Sequence, residues 1–338
     1  MLNPERMLPN VTVWIAARNE EDNILHSLSA MNALSYPKEQ LQILIGNDQS
    51  DDKTRELVLD FIKDKPHFQL IDIEKTINNQ RGKANVLANL YEHSTGKYFL
   101  ISDADVKVNP DWIHGMIRNF EQDARIGHQV GVTALNVGSM FHAFQSIDWL
   151  YALSLLKKAA DLKIPLTGLG NNSAVSRAAY EATGGYAKMP FSITEDFALF
   201  HETIKKGFGF RNTINLQVFA KTQPIFSMKE FLHQRKRWMV GALQCPWWIV
   251  LLLYLNALFL PILAAIGIFF SWKLAALVWL IKWIIQTLNV LPVILKLKQF
   301  SLVKHLIFYE FYSNWWGLTM VLFYYLPVKV DWKGRIYE

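Results

Sequence analysis

From Pro246 to Phe270 the chain carries no charged side chain. A run of that length exceeds the roughly 20 apolar residues that take an α-helix across the hydrocarbon core of a bilayer. Two weaker apolar stretches follow, residues 274–295 with Lys282 and Gln286, and residues 306–327 with Glu310. The pattern predicts a membrane region over 246–338 with about three spans. Eight of the 12 tryptophans fall in the last 93 residues, among them Trp247, Trp248, Trp272, Trp315 and Trp316. Aromatic clusters beside long apolar runs mark membrane interfaces. Those 93 residues hold 8 basic and 3 acidic side chains, against 27 and 26 in the first 245. A nearly neutral amino-terminal part lacks the basic stripe of a nucleic-acid groove, so no nucleic-acid partner is expected.

Cys245 is the sole cysteine, which leaves no disulfide within the chain and no thiolate zinc site, and fits a reducing compartment. The opening MLNPERMLPN lacks the apolar core of a signal peptide. The expectation is an integral protein of the cell inner membrane with its soluble part in the cytoplasm. Lys296, Lys298 and Lys304 then lie on the cytoplasmic side, as the positive-inside tendency prefers. Three spans place Lys329, Lys333 and Arg335 outside, so either the third segment is interfacial or re-entrant or the tendency fails here.

Residues 11–17, 41–47, 68–73 and 98–102 are short apolar, partly β-branched runs, separated by polar stretches of helical periodicity. Strand alternating with helix predicts an α/β sheet with parallel strands at its centre. Asn109-Pro110 reads as an N-cap followed by proline at the first helical position. Residues 1–225 form the soluble domain. A basic amphipathic helix over 226–245 leads into the membrane region, and Ser227 with Glu230 reads as its capping box.

Polar groups follow the first two strands, Arg18-Asn19-Glu20 and Asn47-Asp48-Gln49-Ser50-Asp51-Asp52-Lys53-Thr54. They stand at carboxyl ends of strands, where open α/β sheets bind ligands, although turn and N-cap chemistry uses the same residue types. Arg81-Gly82-Lys83 precedes a helix, where an ammonium group and a helix amino terminus meet an anion together. Asp103-Ala104-Asp105 follows the fourth strand, and in an extended segment residues two apart point to the same side. Two carboxylates so placed suit a hard cation such as Mg²⁺, the alternative being a solvated turn. Thr194-Glu195-Asp196 opens a helix, with Ser192 three residues before Glu195 in the pattern of a capping box. The alternative makes Asp196 a general base. Within Gln234-Arg235-Lys236-Arg237-Trp238, the residues Gln234, Arg237, Trp238 and Gly241 share one helical face. Arg235 and Lys236 point away, toward anionic lipid.

Together, in this order, these motifs resemble the family 2 glycosyltransferases with a GT-A fold, in their membrane-integrated branch, over about residues 10–240. The resemblance assigns Arg18, Glu20 and Asp48 to uridine binding, Lys83 to the diphosphate, and Asp103 and Asp105 to a Mg²⁺ or Mn²⁺ ion. Gly170-Asn171-Asn172 resembles the acceptor loop, so Asn171, Asn172 and Glu195 face the acceptor. Asp196 resembles the catalytic base and the segment at 234–238 the Gln-x-x-Arg-Trp motif, in which Gln234 bonds the diphosphate, Arg237 meets charge on departing UDP and Trp238 lies near the acceptor. Asn47 and Gln49 depart from the usual Asp and Gly. The implied activity is inverting transfer from a UDP-sugar. A transporter does not account for the soluble domain, and a non-catalytic nucleotide-binding scaffold would not need the metal, base and Arg-Trp positions together.

Three mostly apolar spans are few for lining a polysaccharide conduit, so the expected acceptor is a membrane lipid, with a polysaccharide synthase as the alternative. The tail at 331–337 resembles the ending of membrane glycosyltransferases that act on lipids, ceramide glucosyltransferase-like proteins among them.

Overall fold

The structure is a computed structural model that describes residues 8–332 and 335–337. It divides into two compact units, the first made of the residues up to Thr133 with Lys157–Thr222, the second of Ala134–Leu156 with the residues from Gln223 onward.

The first unit is built on a seven-stranded sheet ordered β3-β2-β1-β4-β8-β6-β9. Strands β1 (Val11–Ala17), β2 (Leu41–Asn47), β3 (Phe68–Asp72) and β4 (Tyr98–Asp103) form a block of four parallel strands, and they coincide closely with the four apolar runs. Helices α1 (Ile24–Asn32), α2 (Thr54–Ile62) and α3 (Gly82–Glu92) join them, as parallel pairing demands crossovers. Two short elements follow, β5 (Lys107–Val108) and α4 (Trp112–Gln122), then β6 (Ile126–Val130) and β7 (Val132–Leu135). Asp111, not Asn109, is the N-cap of α4, while the Asn109 side chain accepts from the Asp111 N–H at 3.0 Å.

Helix α5 (Met140–Asp161) leads to β8 (Asn172–Ser176), which runs antiparallel to both β4 and β6. Then come α6 (Arg177–Thr183), α7 (Gly185–Lys188), α8 (Glu195–Lys205), β9 (Gly209–Asn212) and β10 (Phe219–Thr222). The core under the parallel strands is aromatic: Trp14 stacks on Phe99 with ring centroids 4.5 Å apart, and Tyr180 meets Trp14 edge-on at 5.3 Å. Register places Ala16 opposite both Gly46 and Asp103. The turns after β1, β2 and β4 therefore leave one edge of the sheet side by side.

The second unit contains most of α5, with α9 (Met228–Ala242), α10 (Trp247–Ala257), α11 (Phe259–Phe269), α12 (Trp272–Lys296) and α13 (Leu306–Tyr325). Residues 134–156 thus leave the soluble domain expected over 1–225. The reason is local packing, since Ala143, Phe144, Ile147, Leu150 and Leu153 are buried and Ser154 donates to the Asn289 carbonyl oxygen at 3.1 Å.

The first expected span is not one helix. It breaks at Leu258, where α10 and α11 meet at 66°. Pro261 supplies the cause, because it has no N–H for the carbonyl of Ala257 and its ring crowds that group. Among the described residues only α12 is by itself long and apolar enough to cross a membrane, or two such spans if the bent pair counts as one.

Lys282 and Glu310 do not face outward as isolated polar sites. Lys282 Nζ donates to Glu310 at 2.8 and 3.0 Å and to Asn314 Oδ1 at 2.8 Å, joining α12 to α13 by an ion pair that satisfies its own donors. Arg235 and Lys236 likewise turn inward. Arg235 Nη2 lies 2.8 Å from Asp148 Oδ2, and Lys236 donates to the Leu326 carbonyl at 2.7 Å, just past the last turn of α13, where carbonyls lack helical partners. Strand residues Val330–Trp332 pair antiparallel with Arg335–Tyr337. Lys333 and Gly334, part of the tail resemblance, lie outside the described residues.

Candidate active site

The turns after β1 and β2 are tied to each other. Arg18 Nη1 donates to the Asp48 carbonyl at 2.7 Å, and the Glu20 N–H donates to Thr54 Oγ1 at 2.7 Å. The Glu21 N–H donates to Asp52 Oδ2 at 3.0 Å, and the Lys53 N–H returns a bond to Glu21 Oε2 at 3.1 Å. Glu20 and Asp48 are buried. Both departures from the resemblance have a physical account. Asn47 Nδ2 donates to Asp72 Oδ1 at 2.8 Å, where an aspartate would set two carboxylates against each other. Gln49 takes φ 55°, the left-handed region in which glycine is the usual residue.

Strand β4 ends at Asp103, and Ala104 and Asp105 lie in a turn closed by the Val106 N–H donating to the Asp103 carbonyl at 3.2 Å. The extended geometry expected for the pair is therefore replaced by a turn. Its two carboxylates take different partners: Lys83 Nζ donates to Asp103 Oδ1, and Thr222 Oγ1 donates to Asp105 Oδ2 at 2.6 Å. No local motif marked Thr222, which reaches Asp105 from 117 residues away.

Lys83 gathers three segments. Its ammonium also donates to the Gly170 carbonyl at 2.7 Å and lies 3.8 Å from Glu195 Oε1. Burial pushes this ammonium toward neutrality, but Asp103, Glu195 and Asp196 outweigh the effect and hold its pKa above the ordinary lysine value. Gly170 stands at the centre. A Cβ built there would lie 3.0 Å from Lys83 Nζ, 3.2 Å from Glu195 Oε1 and 3.4 Å from Asp196 Oδ2.

The capping box expected at Ser192 does not form. Thr194 is the N-cap of α8, without a side-chain bond, and Ser192 Oγ accepts from the Thr194 N–H at 3.2 Å. Glu195 is buried beside Lys83. Asp196 Oδ1 accepts from the Phe197 N–H at 2.8 Å, leaving Oδ2 on the Gly170 side. The box expected at Ser227 is likewise missing, since that N-cap makes no side-chain bond.

Asn172 is not an acceptor contact. It is fully buried in the sheet, where its Nδ2 donates to the Val132 and Val218 carbonyls at 3.1 and 2.9 Å and its Oδ1 accepts from Trp112 Nε1 at 2.9 Å. A Cβ on Gly131 would lie 2.4 Å from that Oδ1, so glycine is needed for the approach. Asn171 differs: its side-chain oxygen is buried and reaches no hydrogen-bond partner within the protein. In the second unit, α9 carries Gln234, Arg237 and Trp238. The Trp238 ring packs on Trp149 at 4.7 Å and lies under the Arg235 guanidinium at 4.4 Å.

Among the described residues no group of three or more His, Cys, Asp or Glu side chains is gathered as a metal centre. Asp103 and Asp105 nevertheless fit a divalent cation of the Mg²⁺ kind, which takes one or two protein carboxylates and completes its shell with phosphate oxygens and water. The Asp103 side chain is 40% exposed, so oxygen lone pairs remain open. Around Lys83 three carboxylates face one ammonium, an excess of negative charge that a diphosphate cannot approach without a counter-cation.

Known proteins are similar to this chain. A mannosyltransferase from Pyrobaculum calidifontis, solved with GDP-Man and Mn²⁺, has a TM-score of 0.57 over 92% of this chain and 88% of its own, at 20% identity. The likeness shows an α/β fold of the GT-A type. The poly-beta-1,6-N-acetyl-D-glucosamine synthase of Staphylococcus aureus (strain MSSA476) is 33% identical over 156 residues, 46% of this chain and 36% of the synthase. The probable glycosyltransferase YdaM of Bacillus subtilis (strain 168) is 29% identical over 241 residues, 69% of this chain and 55% of YdaM. The matches thus span about a third to a half of those curated relatives. The profile described as "Glycosyl transferase family 21" matches residues 2–338, and the chain belongs to that family of glycosyltransferase enzymes, of the family 2 type.

Proposed function

We propose that the protein transfers a sugar from a UDP-sugar to a hydroxyl group of a membrane lipid, with inversion at the anomeric carbon. The observation that carries this reading is the Lys83 ammonium, bonded to Asp103 and the Gly170 carbonyl and 3.8 Å from Glu195. It joins the end of β4, the glycine-asparagine loop and the start of α8.

Arg18, Glu20 and Asp48 hold the nucleoside at the paired turns, and Lys83 faces the diphosphate. Asp103 and Asp105 hold Mg²⁺ or Mn²⁺, whose positive charge eases departure of UDP when bound. The mannosyltransferase solved with Mn²⁺ agrees with such an ion. Asp196, through Oδ2, takes the proton of the attacking hydroxyl. Glu195 and the Asn171 side-chain oxygen orient the acceptor, with Trp238. Gln234 bonds the diphosphate, and Arg237 meets the charge on the departing phosphate through its planar donors.

Membrane insertion is supported by the apolar surface of the second unit. Trp247, Ile268, Phe269, Phe270 and Trp272 are each at least 72% exposed, more apolar surface than a soluble protein leaves in water. We place the first unit in the cytoplasm. The lipid acceptor is supported by the pairing of Lys282 with Glu310, which consumes polar groups that a conduit would need. Elongation of a polysaccharide is the second reading, favoured by the staphylococcal synthase among the relatives. Detergent-purified protein, given UDP-sugars with lipid extract, should release UDP only with a divalent cation present. No release with any UDP-sugar would defeat the proposal.

A further inference from the structure

The second unit holds a partly open cavity of about 140 Å³, close in volume to the ~150 Å³ of an engineered apolar cavity that admits benzene. Unlike such a cavity, this one has polar walls. Asp148 and Tyr151 of α5, Arg235 of α9, Asn256 of α10, Gln286 of α12 and Ser313 of α13 line it, with aromatic rings between them. Its charged groups cancel: Asp148 is bound by Arg235 at 2.8 Å and accepts from the Tyr309 hydroxyl at 3.0 Å, while the guanidinium lies over Phe231 and Trp238. Tyr312, another wall residue, is 9% exposed and its buried hydroxyl reaches no partner. Leaving a buried hydroxyl unbonded is costly, which indicates a partner brought from outside the protein.

We propose that this cavity binds the uncharged, hydrogen-bonding head group of one membrane lipid. The size suits a glycerol or amide group and is too small for an oligosaccharide. Its paired charges leave nothing to neutralise a phosphate. The same helices supply a course for acyl chains, because Leu251 and Leu255 on α10, Ile285 and Leu288 on α12 and Phe311 and Trp315 on α13 are exposed. The inference rests on the reading of this unit as membrane-embedded.

The test is native mass spectrometry of the full chain after reconstitution in phosphatidylcholine vesicles doped with dioleoylglycerol or with phosphatidylglycerol. Wild type should retain one dioleoylglycerol and no phosphatidylglycerol. Tyr312→Phe should bind it about three- to tenfold more weakly, the loss of one hydrogen bond, and Ser313→Leu, which fills the cavity, should retain none while melting at the wild-type temperature. An empty cavity predicts the reverse for Tyr312→Phe, no change in lipid and a gain in stability. Equal retention by all three proteins, preference for phosphatidylglycerol, or retention of detergent only would overturn the proposal. Carbonate-washed membranes separate the two readings: a chain washed off is not membrane-embedded, whereas one that stays but retains no lipid defeats the cavity assignment alone.

Discussion

Gly170→Ala adds one methyl group to the centre of the site and removes no functional atom. The new Cβ would stand 3.0 Å from Lys83 Nζ, 3.2 Å from Glu195 Oε1 and 3.4 Å from Asp196 Oδ2, the first two short of a comfortable contact by a few tenths of an ångström. All three are ends of side chains that can swing aside, so the strain on folding should be no more than about 1 kcal/mol. A shift of the melting temperature by a few degrees at most follows. Chemistry is less tolerant, because misplacement by about 1 Å costs on the order of 100-fold. A displacement of a few tenths predicts a loss of roughly tenfold in UDP release. The control is Gly138→Ala, whose new Cβ would find its nearest neighbour, His142 Nδ1, at 3.6 Å and should change neither quantity. Turnover and melting temperature are measured on the same preparations. Wild-type turnover in Gly170→Ala would refute the placement of the reaction beside Lys83, Glu195 and Asp196, and a large fall in melting temperature would refute the claim that the cluster yields cheaply.

Asp196→Asn should lower turnover by roughly 100-fold or more while calorimetry shows unchanged UDP affinity; a parallel loss of both would make the residue structural. Asp105→Ala should abolish metal-dependent transfer in a folded protein, and wild-type turnover of that variant in EDTA would remove the metal assignment. His128, buried with neither ring nitrogen bonded, has its pKa pushed down by burial from 6.5 to about 3. The unfolded chain then binds the extra proton between those values, so stability is full above pH 6.5 and falls as pH drops toward 3, by up to about 1.4 kcal/mol per unit. His128→Phe should flatten that part of a melting-temperature profile, and an unchanged slope would show that other groups set it.

The strands were legible because their apolar, β-branched runs are short and separated by polar helices, and a parallel sheet needs little more to be specified. Motif positions were legible for a related reason: carboxyl ends of strands converge wherever the sheet forms. Side-chain partners were not. Ser192 and Glu195 had the spacing of a capping box, yet Lys83, 112 positions earlier in the numbering, claims the glutamate. Asn172 looked like its neighbour Asn171 in sequence, and only the place of Asn172 in β8, between β4 and β6, separates a structural amide from one whose side-chain oxygen is left without a protein partner. Hydropathy gave the length of the first apolar run but averaged over Pro261, which breaks it. It also scored Lys282 and Glu310 as isolated polar intrusions, because residues 28 apart reveal their pairing only when two helices pack.

The acceptor tests the central claim most directly. Reconstituted protein is incubated in vesicles with lipid extract and a radiolabelled UDP-sugar that supports UDP release. The prediction is label that extracts into organic solvent and depends on Asp105 and Asp196. High-molecular-weight label, resistant to solvent extraction and cleaved by glycosidase, would contradict the lipid acceptor and establish polysaccharide elongation in its place.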